Sequence, residues 1–296
     1  MKINLKRNYK HYLMLTPFFL MFIVFFVYPI IYGIYTSFYK WDGIHIPEFV
    51  GLDNYSKVLN ARTTKLAYKN IINYVLITVP IGMIVSFILA IIIQAMPRKW
   101  GNFFKSAYFL PSVIPLYLAA SVWKWILAAD VGLVNVLFSK IGLQQVAWLT
   151  DPKYMLYSLI IVDVWVSAGF NMIIMIAGIN DIPESLYDAA KVDGANKFQE
   201  IINITIPQLI PTLFFTTTWG FISALQVFEA PWILTGSTYM SYGGNRNALL
   251  FPVMDMLGKG FGSLKFGQAA AYGVILAFVI LFFTSIQFLI NKKIKK

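Results

Sequence analysis

A chain of 296 residues that is 58% hydrophobic, 17% aromatic and only 12% charged lies far below the roughly 25% charged residues of a soluble domain, and this places it in a membrane. The net charge of +11 does not indicate nucleic acid, because the bases cluster beside apolar stretches where topology and anionic headgroups account for them. Zero cysteines exclude disulfides and thiolate metal sites, and His11 and His45, far apart and expected on opposite faces, leave no metal to assign.

Apolar stretches at 12–38, 70–96, 106–127, 155–179, 207–234 and 267–290 can each cross the roughly 30 Å hydrocarbon core as a helix. The first is too long, and lacks a small-residue cleavage pattern, to be a signal peptide; it is expected to remain as a span. Pro111 and Pro115 interrupt the third stretch, Pro211 and Pro231 the fifth. In a bilayer such breaks persist only where protein or a water-filled cavity satisfies the freed carbonyls. The bases Lys2, Lys6, Arg7 and Lys10, then Arg98, Lys99 and Lys105, then Lys292, Lys293, Lys295 and Lys296 stand in segments without acids. The positive-inside rule therefore puts both termini and 97–105 in the cytoplasm. The loops at 39–69, 128–154 and 235–266, where bases mix with Asp42, Glu48, Asp53, Asp130, Asp151 and Asp255, fall outside. Trp41-Asp42-Gly43, Thr235-Gly236-Ser237 and Tyr242-Gly243-Gly244-Asn245 are turn-like, and Val131–Ile141 suits a short amphipathic surface helix. With no polar segment beyond about 30 residues, 1–296 is expected to be one all-α membrane domain.

Three ionisable residues lie within the apolar stretches: Lys124, Asp163 and Glu229. Each is costly in lipid and must face protein or water. Lys124, between Trp123 and Trp125, suits a snorkelling anchor. Asp163 stands near Trp165 and Ser167, so that a carboxylate, an aromatic face and a hydroxyl can surround a cavity; an interhelical hydrogen bond is the structural alternative. Glu229 precedes Ala230-Pro231-Trp232, where the missing proline N–H can open the backbone at a site or gate; hydration near the headgroups is the alternative. Trp219, Gln226 and Gln268 can contribute contacts or act as packing and interhelical glue.

Between the fourth and fifth spans lies a polar segment, 181–206. Asp181 with Glu184, and Asn196 with Gln199, have capping-box spacing, predicting two short helices around Gly194, with Pro183 in the first turn of the first. The small Ala189 and Ala190 let another surface approach. No phosphate loop occurs, since Gly258-Lys259-Gly260 lacks the following hydroxyl residue, and there is no nucleophile elbow or paired-histidine helix. The chain is expected to have no catalytic residue and no ATPase activity of its own.

Asp188-Ala189-Ala190, then three residues to Gly194, then nine to Ile204-Thr205-Ile206-Pro207, resembles the EAA loop of ABC importer permeases, with Asp for Glu and Ile for Leu. Phe49-Val50-Gly51-Leu52-Asp53-Asn54-Tyr55, Trp165, Gly178, Ile182-Pro183, Tyr187 and Phe228-Glu229 leading to Leu234-Thr235-Gly236 extend the resemblance to nearly the whole chain. It is similar to the first, maltose-permease-like subunit of carbohydrate-uptake type I ABC importers. One departure is Gly236-Ser237-Thr238, where the family often has Gly-Gly-Pro after the threonine. The resemblance implies six transmembrane helices, a multi-pass place in a bacterial plasma membrane, and a cytoplasmic coupling hairpin at 181–206. Glu184, Asp188, Ala189, Ala190, Asp193, Gly194, Ala195 and Phe198 of that hairpin would meet the ATPase. It further implies a second homologous permease, two ATP-binding subunits carrying ATP and Mg, and an extracellular sugar-binding protein. Counting back from the hairpin, Asp163, Trp165, Val166, Ser167 and Phe170 would line the sugar path, joined by Gln226 and Glu229, with an oligosaccharide as the substrate class and lipid-linked or glycerol-phosphate-type substrates as the alternatives. The reading from another class is an ion-coupled secondary transporter using Asp163 and Glu229 as proton carriers, which the lack of an inverted repeat opposes.

Overall fold

A computed structural model describes residues 5–294, with side chains described over 13–292. Lys2, Lys295 and Lys296 lie outside the described residues, as do the side chains of Lys6, Arg7, Lys10, His11 and Lys293. The protein is mostly helical and divides into two compact units, 1–61 with 256–278, and 62–255 with 279–296.

In the first unit, α1 (Leu5–Phe22) passes through a π turn at Ile23–Val27 into α2 (Tyr28–Thr36). The widened turn has a local cause. Pro29 follows it, and a proline ring in a regular α-helix would collide with the carbonyl four residues back, here Phe25. Two short strands, β1 (Tyr39–Lys40) and β2 (Glu48–Phe49), pair antiparallel with Tyr39 opposite Phe49, a ladder that the all-α expectation did not include. Asp42 holds the loop between them by accepting the N–H groups of Ile44 (3.0 Å) and His45 (2.9 Å) and bonding the His45 ring (2.5 Å). These bonds, the ring contact foremost, hold the Asp42 carboxyl well below the usual carboxylate range. His45 is thus engaged by a carboxylate. The amide of Asn54, in α3 (Asp53–Asn60), donates to the carbonyls of Ser37 and Tyr39.

The second unit is built on α4 (Arg62–Gln94) and, after α5 (Arg98–Val113), α6 (Leu116–Ile126) and the surface helix α7 (Leu133–Lys140), on α8 (Pro152–Asn180). α7 falls where the sequence predicts a surface helix. α4 and α8 pack along their length. Ile71, Tyr74 and Val75 meet Met155, Leu159 and Val162 in one core, while Ala90 and Ile93 meet Met172, Met175 and Ile179 in another. Small residues bring helices close, as expected where lipid offers no hydrophobic drive for association. At Gly169 of α8 any Cβ would strike the backbone of α5 at Tyr108 and Phe109.

The chain continues through α9 (Glu184–Val192) and α10 (Lys197–Glu200), a π turn at Ile201–Thr205, α11 (Ile206–Leu225), α12 (Glu229–Thr235) and α13 (Pro252–Leu257) to α14 (Phe266–Ile294), which begins in the first unit. Among the described residues five helices are long and apolar enough to span a bilayer, and α5 with α6, bent by 98° at Ile114–Pro115, makes a sixth if counted as one. The third stretch breaks at Pro115, whereas Pro111, also expected to interrupt it, sits inside α5. The fifth breaks at neither of its prolines: Pro211 sits inside an unbroken α11, and the break falls at Gln226–Phe228. Pro231 lies in the first turn of α12, where a missing N–H costs little.

Asp255, which the sequence places in an outer loop, is fully buried. It accepts hydroxyl hydrogen bonds from Thr63 and Thr64 at 3.2 Å and from Tyr242 at 3.3 Å, tying the 242–255 segment to the start of α4. Burial, then the Asp255 charge, pushes the Tyr242 phenol up to about 12. Asn70 adds two bonds to the carbonyls of Asn247 and Leu250. Replacing Asp255 with Ala removes the acceptor of three hydroxyls, of which Thr64 is buried and Thr63 and Tyr242 half-buried; a donor stranded in the interior costs about 1–3 kcal/mol. Thermal unfolding of the purified protein is expected to show a destabilisation of about 3 kcal/mol, with Asp255→Asn in between.

Candidate functional site

Helix α8 is apolar almost all round, so its polar residues stand out by position. Asp163, Ser167 and Asn171 recur every four residues and lie on one face, with Phe170 beside them. α4 carries a matching series, Tyr74, Thr78, Gly82 and Ser86, of which Thr78 and Gly82 line the space, and α11 supplies Thr216, Trp219, Gly220 and Ser223. These faces enclose a cavity of about 360 Å³, closed at one side by Gln226, Phe228 and Glu229 from the break between α11 and α12. The volume suits a small-molecule site of roughly 300–1,000 Å³.

The polar groups of this cavity are incompletely paired. Thr78 Oγ1 and Asn171 Oδ1 are buried without a hydrogen-bond partner, and the buried Tyr74 hydroxyl lies beside Asp163 without completing a bond. A buried orphan of this kind costs about 1–3 kcal/mol, a strain that a polar ligand or water relieves. Gln226 Nε2 donates to the Ile222 carbonyl at 3.1 Å, leaving its amide oxygen as an acceptor.

Of the residues singled out in the sequence, Asp163, Ser167, Phe170, Gln226 and Glu229 come together here, although 55 residues separate Phe170 from Gln226 by number. Trp165 and Val166 do not line the cavity. Trp165 points to another face of α8, packs edge-on against Trp123 at 5.7 Å and borders an apolar groove with Tyr108 and Pro111. The Ser112 hydroxyl donates to the Val166 carbonyl at 2.7 Å, and its Oγ accepts the Phe170 N–H at 3.2 Å. Ser112 thereby bridges a helical i, i+4 pair and locks the turn that presents Ser167 and Phe170. Gln268 belongs to the first unit and Lys124 sits against Gly236. Thr78, Gly82, Asn171, Thr216 and Ser112 escaped notice in the sequence; the four-residue polar spacing on α4 and α8 was the available signal.

The 181–206 segment turns back at Gly194, whose φ of +79° is the left-handed conformation that glycine adopts without penalty. Of the two capping boxes, only that of Asn196 and Gln199 forms, at 2.9 and 2.8 Å. Asp181 instead ends α8, and Pro183 is the N-cap of α9, so Glu184 starts that helix uncapped by a side chain. The second helix is not a separate short element either. It continues through the Ile201–Thr205 π turn into α11, again just before a proline, Pro207, whose ring would collide with the Asn203 carbonyl. Tyr187 and Thr205 hydroxyls join across the base at 3.0 Å. Asp188 bonds Lys191 at 2.9 Å, a contact that raises the Lys191 pKa. Helix α9 buries none of its residues, and Ala189, Asp193, Val192 and Phe198 are exposed, with Phe198 70% accessible. Ala190 and Ala195 are partly covered.

Several long apolar helices around an incompletely paired polar cavity define a multi-pass membrane permease. Residues 79–296 match the family described as binding-protein-dependent transport system inner membrane component, and the chain belongs to that family. It is 35% identical to the probable ABC transporter permease protein YurN of Bacillus subtilis over 76% of this chain and 78% of that one. It is 29% identical to the arabinooligosaccharides transport system permease protein AraP of Halalkalibacterium halodurans, over 96% and 88%. A solved permease chain of a bacterial alginate ABC transporter, in complex with alginate pentasaccharide-bound periplasmic protein, superposes with a TM-score of 0.86 at 26% identity, covering 99% of this chain and 97% of that one. The fold is that of a type I ABC importer permease, and family membership decides against the ion-coupled alternative.

Because the native chain has no cysteine, access to the cavity is directly measurable. Single cysteines at Ser167 and Gln226 are expected to react with a small methanethiosulfonate reagent in the purified protein. A cysteine at Met172, which is fully buried in the core, is expected to stay unmodified.

Proposed function

We propose that this chain is one half of a heterodimeric ABC importer permease for an oligosaccharide, that the Asp163 cavity is its substrate site, and that 181–206 is its coupling hairpin. The observation that carries the proposal is the convergence of Asp163, Ser167, Phe170, Gln226 and Glu229 on one cavity with unpaired Thr78 and Asn171. Sugars present hydroxyls to such groups and a C–H face to rings such as Phe170 and Trp219. The arabinooligosaccharide and alginate relatives support the substrate class. In this reading the whole chain works as a single permease domain of six crossings, α5 and α6 forming the third, with both termini in the cytoplasm as the basic flanks favour. A second permease completes the path, two ATP-binding subunits carry ATP and Mg, and an extracellular sugar-binding protein delivers the substrate. The hairpin suits docking: Leu186, Val192 and Phe198 leave apolar surface uncovered around the small, accessible Ala189.

Asp163→Asn retains shape and removes the charge. Losing one charge-assisted hydrogen bond of about 1.5–3 kcal/mol lowers uptake about tenfold or more, while the complex still assembles. Trp165→Ala, on the face away from the cavity, keeps uptake close to the parent. Radiolabelled sugar uptake in cells, with co-purification of the subunits as the assembly control, distinguishes the two; normal transport by Asp163→Asn would remove the cavity as the substrate site.

Gly194→Val places a β-branched residue at positive φ, and Ala189→Trp fills the accessible surface of α9. Both are expected to abolish substrate-stimulated ATP hydrolysis in the assembled importer while membrane insertion survives. Full stimulation in both variants would leave 181–206 a solvated loop.

A further inference from the structure

The formal charges lining the cavity are both negative. Asp163 comes from α8 and Glu229 from the first turn of α12, and among the described residues no lysine, arginine or histidine lines the space with them. The base on the neighbouring helix α6, Lys124, reaches Gly236 at the far end of α12. The remaining lining groups are hydroxyls, amides, rings and aliphatic side chains. Inside a low-dielectric wall two carboxylates are poorly screened, so the field repels a second anion and attracts a cation.

Hydrogen-bond capacity points the same way. The carboxylates accept only, Asn171 Oδ1 is a buried acceptor without a donor, and Gln226 has one of its two amide N–H groups engaged, keeping the other beside its oxygen. The two carboxylates and the Asn171 oxygen ask for donors, while the lining hydroxyls can serve either way. A sugar hydroxyl donates and accepts, an ammonium donates three times, and a uronate or phosphate group only accepts. An acidic group would therefore meet like charge at Asp163 and Glu229 and could satisfy neither carboxylate nor the Asn171 oxygen.

We propose that this half of the pathway admits neutral or amino-bearing glycans and rejects glycans that carry carboxylate or phosphate. The inference rests on the cavity being the substrate site, and it departs from the acidic polysaccharide of the alginate transporter to which the chain is similar.

The assembled importer in detergent, without its binding protein, is titrated calorimetrically with a panel of trisaccharides in three charge forms: neutral, amino and uronate. Neutral or amino members are expected to bind at least about tenfold tighter than their uronate counterparts, the size of one like-charge encounter. The Asp163→Asn, Glu229→Gln double variant is expected to narrow that ratio by about tenfold. Uronate binding equal to neutral binding in the parent importer overturns the charge inference and leaves the site in place, and this comparison needs no variant to fold. An unchanged ratio in a correctly assembled double variant also overturns it. If no member of the panel binds, the substrate-site reading falls and takes the inference with it.

Discussion

Hydrocarbon offers no partner to a backbone N–H or C=O, and every irregularity in this protein is shaped by that constraint. The bend at Ile114–Pro115 closes on itself, with the Ile114 N–H donating to the Pro111 carbonyl and the Leu118 and Ala119 N–H groups to the Pro115 carbonyl. At the α11–α12 break, Gln226 and Val227 donate to the carbonyls three residues back, Ser223 and Ala224, and Trp232 donates to Phe228. The two π turns before Pro29 and Pro207 are the same solution in another form. A widened turn accommodates the proline ring without ending the helix. Helices can therefore stop and restart around a polar cavity without stranding their main chain.

Within that frame the side chains do the reverse. Thr78, Asn171 and Tyr74 are left incompletely paired, as are Thr218 and Gln287 away from the cavity, while Asp255 and Asn135 are well supplied with partners. Asp255 accepts three hydroxyls, and Asn135 bonds the carbonyls of Ala129 and Val146 and accepts from the Trp148 indole. Asp255 and Asn135 hold the fold, whereas Thr78 and Asn171 line the cavity with unfinished hydrogen bonds. Ser112 links the two classes, since its hydroxyl is spent on α8 but fixes the turn that points Ser167 and Phe170 into the cavity.

Much of this was legible along the chain because it depends on short-range chemistry. Apolar length located the long helices, Gly194 and the Asn196–Gln199 pair located the turn of the hairpin and the start of its second arm, and Pro115 marked a real bend. Local rules also misplaced features. Pro211 and Pro231 interrupt the fifth apolar stretch along the sequence, yet one is absorbed inside α11 and the other falls in a first turn, while the actual break contains no proline. Asp181 has capping-box spacing to Glu184 but ends the preceding helix instead.

The sequence by itself determined the class of protein, the membrane environment, the position of the hairpin and the presence of acids that lipid would not tolerate, because composition, helix length and spacing each act locally. Only the tertiary structure decided which of those residues meet. Trp165 lies two residues from Asp163, but successive helix positions are about 100° apart, and the packing of α8 against both α4 and α5 turned one toward the cavity and the other toward Trp123. Asp255 had the spacing of an outer-loop charge and became a buried clamp, because its three donors come from segments far away along the chain. Rotation about a helix axis and contact between distant segments are settled by packing, and no local pattern encodes them.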